Sequence, residues 1–155
     1  MTKTGVRTFE AAAYLRRSGA EVTRVRKMIR NDMSAYKARA EAVRNAEVYR
    51  KSFAIAVCPA EYVESPTIVG AQAANELLNV IGIKASFVLT EYNGKIFVSA
   101  RSIDEINVQI IMERLGGGGH LNVAGAQLVD CTIESAKRII KDTLEEMLRE
   151  GDIES

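Results

Sequence analysis

A chain of 155 residues with 47% hydrophobic and 26% charged residues has the length and composition of one globular domain. No apolar stretch approaches the ~20 residues needed to cross a bilayer, and the first residues lack the apolar region of a secretory signal, so we expect no membrane anchor or targeting segment in this piece. The formal net charge of +1 hides an asymmetry, because residues 1–51 hold 13 Lys or Arg against 5 Asp or Glu, whereas residues 52–155 hold 8 against 15.

The first 51 residues are predicted to be helical. A short helix over Phe9–Arg17 ends at Ser18-Gly19, in the manner of a glycine C-cap. Residues 21–51 contain no Pro or Gly, and apolar residues recur there every seven positions, namely Val22, Ile29, Tyr36 and Val43. This spacing predicts one long amphipathic helix, or two abutting helices, with a narrow apolar seam, which is typical of a connector between domains.

The excess of basic residues in this segment has two interpretations. It could form a surface for phosphates or nucleic acid. It could instead be a solvated helix face, or an arm that packs against an acidic neighbour. No aromatic residues interleave with the charges, as a stacking platform for bases requires, and this favours the second interpretation.

Residues 52–155 carry the predicted domain, in which strands and helices alternate. In chain order we expect a strand at Phe53–Cys58 and a helix at Thr67–Val80, whose inner face is marked by Ile68, Ala71, Ala74 or Asn75, and Leu78. A hairpin of Ala85–Thr90 and Lys95–Ala100 follows, with its turn at Asn93-Gly94. The remaining elements are a helix at Asp104–Leu115, a strand at Ala126–Cys131, and a helix at Ile133–Leu148 capped by Thr132. This order predicts a mixed α/β fold: a mixed β-sheet flanked by helices and preceded by a long helical linker.

The most informative segment is the run Gly116-Gly117-Gly118-Gly119-His120. Four glycines cost unfolded-state entropy, and without Cβ atoms consecutive N–H groups can converge on one anion. If His120–Gly125 begins a short helix, its N-terminus adds positive charge there. The run matches neither a P-loop nor a dinucleotide fingerprint. A hinge or a tight turn is the alternative, but the adjacent His120, which could donate to a phosphate or stack beside a base, favours binding.

A second constellation lies at the end of the predicted hairpin. The guanidinium of Arg101 can fork onto phosphate oxygens. Ser102 offers a hydroxyl or helps to cap the next helix, and Asn107 lies early in that helix. Alone, Arg101 would more often be a surface or salt-bridge residue, but its position one short helix before the glycines predicts that the two segments converge.

A self-sufficient catalytic centre is not visible in the sequence. Two-metal phosphodiester hydrolysis needs clustered carboxylates and often histidines, whereas this chain has one His and no Asp-x-Asp spacing. No Gly-x-Ser-x-Gly elbow occurs. The two cysteines lie far apart, fit a reducing cytosol as small buried hydrophobes, and with a single His make a structural zinc site unexpected.

Taken together, these residues resemble a known family. Ser99–Ser102, Asn107-Val108, Gly116–His120 and Ala124-Gly125 resemble the C-terminal DHH-associated domain of the DHH phosphoesterase superfamily, recognised by its Gly-Gly-Gly-His motif. Further matches at Val98–Ser102, Ile106–Gln109 and Met112–Leu115 resemble the branch of membrane-anchored cyclic-di-AMP phosphodiesterases. In addition, Arg7–Ala12 resembles the end of their catalytic DHH domain, and Thr23–Arg44 their interdomain linker.

The resemblance implies a substrate-binding piece of a manganese-dependent hydrolase. Residues 1–20 would be the end of the DHH domain, 21–51 the linker and 52–155 the DHH-associated domain. Because the Asp-x-Asp and Asp-His-His motifs are missing, we expect no catalytic residue and no cofactor in this chain, with manganese held by the DHH domain. The expected partners are a cyclic dinucleotide or short oligonucleotide and that DHH domain, with a homodimer as an open alternative. The expected location is the cytoplasm, without direct membrane contact, on an anchored parent enzyme.

The site that the resemblance implies is assigned residue by residue. Arg101 matches the arginine that holds a substrate phosphate, and Ser102 and Asn107 match polar positions near it. The loop Gly116, Gly117, Gly118 and Gly119 matches the one whose amides approach the nucleotide, and His120 matches the motif histidine.

Two other functions remain open at this point. One keeps the fold but changes the substrate to short oligoribonucleotides or single-stranded DNA ends, with the basic helix following the backbone. The other is an RNA-binding module of the kind appended to alanyl-tRNA synthetases, against which stand the few aromatic residues and the net acidic domain.

Overall fold

A computed structural model describes residues 32–155, of which Met33–Ser155 form one compact unit. The helix predicted over Phe9–Arg17 and the first part of the linker lie outside the described residues. The described elements are α1 (Met33–Arg44), β1 (Glu47–Tyr49), β2 (Phe53–Cys58), α2 (Pro66–Leu77), β3 (Ala85–Tyr92), β4 (Lys95–Ser102), α3 (Val108–Arg114), β5 (Gly118–Gly119), β6 (Val123–Val129) and α4 (Ile133–Glu150).

The strands form one mixed six-stranded sheet in the order β1-β2-β3-β4-β6-β5. The β2–β3 pair is parallel and is connected through α2, whereas all other pairs are antiparallel. The hairpin between β3 and β4 turns at Asn93 and Gly94, whose φ angles of 53° and 74° are those of the left-handed region that this dipeptide favours. The predicted mixed α/β fold is therefore confirmed.

The end of the predicted linker helix is wrong. The helix stops at Arg44, and residues 47–49 form β1 at the edge of the sheet, antiparallel to β2. Arg50 and Lys51 both adopt positive φ, 52° and 65°, and turn the chain into β2. Glu145 of α4 stabilises this turn, because its carboxylate accepts hydrogen bonds from the Tyr49 hydroxyl and the Arg50 guanidinium. Pairing with β2 thus determines the structure of residues 47–49, although the seven-residue apolar spacing predicted that the helix continues through them.

Two apolar cores cover the sheet unequally. On one face, inward side chains of β2, β3, β4 and β6 pack under α3 and α4; Phe87, Ile111 and Leu144 are completely buried there. On the other face, the core under α1 and α2 takes side chains from β2 and β3 only. Among the described residues no side chain of β4 or β6 belongs to this second core, although α2 also lies close to β4.

Helix boundaries and faces differ in detail from the prediction. In α2 the buried residues are Pro66, Val69, Gly70, Ala73, Ala74 and Leu77, whereas the predicted core residue Ile68 is 58% exposed. The helix expected from Asp104 begins at Val108, because Asp104 has a positive φ of 56° and Asn107 caps the helix. By contrast, the predicted cap of α4 is confirmed, since the Thr132 hydroxyl accepts from the Ser135 amide at 3.1 Å.

Both cysteines are free, as predicted, but their surroundings differ. Cys58 is buried, and this burial raises the pKa of its thiol to about 11, with the nearby Glu41 carboxylate adding to the effect. Cys131 is partly exposed, so the prediction of burial holds for Cys58 alone. None of the helices between residues 32 and 155 combines the length and apolarity needed to cross a membrane.

Candidate functional site

The part of this face built by β4 and β6 forms an open cleft beside α2. Because side chains alternate along a strand, Phe97, Ser99 and Arg101 of β4 lie on the face away from α3 and α4. The cleft has a volume of about 550 Å³ and is lined by Thr67, Phe97, Val98, Ser99, Gly116, Gly117, Gly125, Ala126, Gln127 and Val129. It therefore joins β4, the first glycines of the run and the start of α2.

The glycine run leads from α3 into the sheet. Gly116, at φ 84°, ends the helix, and the amides of Gly116 and Gly117 donate to carbonyls of α3. Gly118 and Gly119 then pair with β6 as a two-residue edge strand. The helix expected to begin at His120 is wrong, because residues 123–129 are strand β6. No helix N-terminus therefore adds positive charge at the end of this loop.

The sheet pairing restricts which amides of the run can meet an anion. His120 and Val123 exchange both of their backbone hydrogen bonds, at 2.7 and 3.3 Å. In an antiparallel ladder such pairs alternate, so the N–H of Gly119, one residue back, points towards the open edge of the sheet. With Gly116, Gly117 and His120 donating internally, Gly119 is the amide of this segment that the ladder turns outward.

Packing explains two of the glycines. A Cβ on Gly117 would lie 2.1 Å from the carbonyl oxygen of Gly125, and one on Gly119 would lie 2.5 Å from the Cα of Ala124. A Cβ on Gly118, by contrast, would have no atom within 4 Å. Gly117 and Gly119 thus allow the loop to lie directly against β6, whereas Gly118 is free of such a requirement.

Arg101 lies in the same row of the sheet as the motif histidine. Arg101 pairs with Val123 across β4 and β6, and Val123 pairs in turn with His120. At about 4.8 Å per strand, the backbones of Arg101 and His120 are roughly 10 Å apart. His120 is exposed, as is Gly119. The sheet therefore brings Arg101 and the end of the glycine run into one row, as the sequence predicted.

The guanidinium of Arg101 is partly buried without a counter-charge. Its Nη1 donates to the carbonyls of Ala100 and Ala124, at 2.9 and 3.4 Å. Within residues 32–155 no carboxylate lies within salt-bridge distance of it, and burial lowers the pKa of the group below its usual value. Four other cations of the domain do have carboxylate partners, namely Arg39, Arg50, Arg114 and Lys141. Arg101 is thus a partly buried cation whose described hydrogen bonds go to backbone carbonyls alone.

Ser102 and Asn107 are already engaged within the fold. The Ser102 hydroxyl is buried on the opposite face of β4, donates to the Ile106 carbonyl at 2.6 Å and accepts from Asn122 at 2.9 Å. The side-chain oxygen of Asn107 accepts from the amide of Ile110 and so caps α3. These contacts fix the segment between β4 and α3, and a direct ligand contact by either side chain stays a prediction.

Replacing Ser102 by Ala should lower the free energy of unfolding by about 1–3 kcal/mol, because the buried Ile106 carbonyl loses its side-chain donor and the Asn122 amide loses one of its two acceptors. Urea titration followed by circular dichroism measures this change. Ser34→Ala, at an exposed helical position, is the control and should change the stability by less than about 0.5 kcal/mol. If the Ser102 variant is as stable as the parent chain, the Ser102 hydroxyl does not stabilise the fold as argued.

Sequence reasoning missed Thr67, Phe97 and Gln127 as lining residues of the cleft. A signal for Phe97 was present: once Arg101 is placed on a strand, the two-residue period puts Ser99 and Phe97 on the same face. Gln127 follows only from the pairing of β4 with β6, and Thr67 only from the position of α2. Single-sequence patterns do not contain either relation.

The described residues do not fit a metal centre. Among residues 32–155, no group of three or more His, Cys, Asp or Glu side chains comes together closely enough to hold an ion. The acidic side chains that do cluster, Glu146, Glu150 and Asp152, surround the Arg114 guanidinium instead. No chemical step can be derived through manganese from these residues.

Comparison with curated proteins finds relatives over most of the chain. It is 44% identical over 137 residues to the cyclic-di-AMP phosphodiesterase PdeA of Listeria monocytogenes serotype 1/2a (strain 10403S), covering 88% of this chain and 21% of that protein. It is 40% identical over 150 residues to the cyclic-di-AMP phosphodiesterase GdpP of Geobacillus thermodenitrificans (strain NG80-2), covering 96% and 23%. The chain therefore spans about a fifth of the length of these relatives.

A solved structure shares the fold, and a family model matches more than half of the chain. An exopolyphosphatase-related protein from Bacteroides fragilis has the same fold, with a TM-score of 0.68 at 23% identity, over 79% of this chain and 37% of that one. A family model described as the DHHA1 domain matches residues 52–150, which contain the hairpin, the cleft and the glycine run. The chain belongs to the DHHA1 domain family.

Proposed function

We propose that this chain is the substrate-binding part of a cyclic-di-AMP phosphodiesterase and that it holds a phosphate of the dinucleotide on the open face of β4 and β6. The observation that carries the proposal is the Arg101 guanidinium, which is partly buried without a carboxylate partner among the described residues. A cation in that state gains more from an incoming phosphate than an exposed one, because part of its hydration is already lost. The names of the relatives support the choice of substrate.

Each site residue has a role in this proposal. Arg101 forks onto the phosphate, using the guanidinium nitrogens that the Ala100 and Ala124 carbonyls leave free. The exposed imidazole of His120, two strands from Arg101 in the same row, approaches the same anion, and the N–H of Gly119 is available to the ligand at the open edge of the sheet. Gly116 and Gly117 give the cleft a wall without side chains. Ser102 and Asn107 act by fixing the chain after β4, and Gly118 leaves the approach open.

Hydrolysis is assigned to a DHH domain that supplies the metal ligands absent from residues 32–155. In this proposal residues 1–20 end that domain, residues 21–51 connect it to the domain described here, and the manganese-bearing domain is the partner that closes over the cleft. The parent enzyme is membrane-anchored with this part in the cytosol, and two copies of it can associate. Alone, the chain binds the nucleotide but does not cleave it.

The test is to titrate the 155-residue chain with cyclic-di-AMP by calorimetry and then to assay hydrolysis with manganese. We expect saturable binding at one site and no turnover. Robust turnover that a point mutation in this chain abolishes would contradict its dependence on a DHH domain. Single-stranded oligonucleotides and tRNA are the competing ligands: tighter binding to them, with a steep loss of affinity as salt rises, would replace the cyclic dinucleotide by a nucleic-acid backbone.

A further inference from the structure

We propose that Asn122 is a positioning residue for the phosphate site, which holds His120 in one row of the sheet with Arg101 and does not contact the ligand. This inference rests on the proposed function for the role of His120. Asn122 follows His120 by two residues and is partly buried. Its side-chain amide donates to the Ser102 hydroxyl oxygen at 2.9 Å and to the Asp104 backbone carbonyl at 3.3 Å. Both hydrogens of this amide therefore have acceptors within the fold.

The side chain of Asn122 reaches the sheet from the side opposite the cleft. Side chains alternate along β4, so the Ser102 hydroxyl lies on the face opposite the Arg101 guanidinium. Two backbone hydrogen bonds support the same attachment. The Ser102 amide donates to the Asn122 carbonyl at 3.1 Å, and the first amide of α3 donates to the Leu121 carbonyl at 2.9 Å. The turn between His120 and β6 is thus joined to the segment that connects β4 with α3.

His120 depends on this attachment more than Arg101 does. Arg101 lies within a strand and pairs with Ser86 on one side and Val123 on the other. His120 instead follows the two-residue edge strand β5, and glycines impose little restriction on the backbone that leads to it. Among residues 32–155 its exposed imidazole has no hydrogen-bond partner. Its position therefore depends on the two backbone bonds to Val123, which close the turn at Leu121-Asn122.

Removing the Asn122 amide should loosen His120 while the sheet stays intact. The ladder between β4 and β6 ends at the pair of Arg101 with Val123 and does not include Asn122. A ligand-binding group that is held in place before the ligand arrives loses less freedom on binding, so its contact contributes more to affinity. Asn122→Ala and Asn122→Asp should both weaken binding, because neither a methyl group nor an ionised carboxylate can donate to the Ser102 hydroxyl.

The experiment is a double-mutant cycle on the 155-residue chain, in which Asn122→Ala, His120→Ala and the double variant are titrated with cyclic-di-AMP by calorimetry. We expect His120→Ala to raise Kd about tenfold and Asn122→Ala to raise it about threefold to tenfold. In the His120→Ala chain, the further change of Asn122 should leave Kd the same. A role in folding alone would not produce this dependence on His120. Asn75→Ala, at an exposed position of α2, is the control and should leave Kd unchanged in either chain.

A second measurement needs no ligand. Nitrogen-15 relaxation gives the order parameter of the His120 amide, which should be about 0.85 in the parent chain and fall towards about 0.6 in Asn122→Ala. The amide of Arg101 should keep its value in both chains, because its strand is paired on both sides. An unchanged order parameter at His120 would overturn the positioning role, whatever happens to the affinity.

The outcomes distinguish a failure of this role from a failure of the proposed function. If cyclic-di-AMP binds through Arg101 but Asn122→Ala weakens binding equally with and without His120, the positioning role is wrong and the phosphate site stands. If the parent chain does not bind cyclic-di-AMP, the proposed function is wrong and the positioning role with it. If Asn122→Ala does not fold, Asn122→Asp, which keeps the shape of the side chain, replaces it in the cycle and in the relaxation measurement.

Discussion

Replacing Arg101 by Ala should weaken the binding of cyclic-di-AMP by about 1.5–3 kcal/mol, which is roughly a 10- to 100-fold rise in Kd. The guanidinium offers the charge-assisted hydrogen bonds to phosphate, and the other cation on this face of β4, Lys95, lies six residues away at the opposite end of the strand. Arg101→Lys keeps the charge but loses the planar fork, so its affinity should fall between those of the other two chains. Calorimetric titration of the three chains at one salt concentration measures the series.

A loss of structure could imitate this result, and two controls exclude it. Removing a partly buried cation without a counter-charge should change the free energy of unfolding by no more than about 1 kcal/mol, because relief of its desolvation cost offsets the loss of its two hydrogen bonds to backbone carbonyls. Arg138→Ala removes an exposed arginine from α4, on the opposite side of the sheet, and should leave the affinity unchanged. If Arg101→Ala and Arg138→Ala bind equally well, Arg101 does not hold the phosphate.

The central part of the fold follows from local sequence signals, whereas its edges do not. The Asn93-Gly94 turn and the β-rich runs on either side specify the hairpin, and Thr132 specifies the start of α4. The strand at Glu47–Tyr49 gives no such signal, because three residues are too short for a period and their pairing depends on β2. The edge strand β5 is likewise defined only by its contact with β6.

The candidate site was predictable in its residue types but not in its geometry. The glycine run and Arg101 stand out in the sequence, and β6 brings Arg101 into one row of the sheet with His120, which follows the run. The sequence could not show that Gly116 and Gly117 donate to α3, which leaves fewer amides for an anion than four consecutive glycines suggest. Nor could it place Ser102 on the face opposite Arg101 until the strand was known to extend that far.

Replacing Gly117 by Ala should destabilise the domain by about 3 kcal/mol or more, the upper part of the range for inserting an atom into packed structure. The new Cβ would lie 2.1 Å from the Gly125 carbonyl oxygen and 2.7 Å from the Cα of Ala126. These are backbone atoms of β6 that cannot rotate away, so the glycine run must separate from the sheet. Thermal and urea unfolding of the variant and the parent chain measure the change.

Gly118→Ala is the matched control, because the same substitution one residue later meets no atom within 4 Å. Its stability should equal that of the parent chain or exceed it by up to about 1 kcal/mol, since the unfolded chain loses entropy. Gly118→Val should fold as well but lower the affinity for cyclic-di-AMP about tenfold by placing two methyl groups where the ligand approaches. If Gly117→Ala is as stable as the parent chain, β5 does not pack on β6 as described. If Gly118→Val binds cyclic-di-AMP as tightly as the parent chain, the glycine run does not contact the ligand.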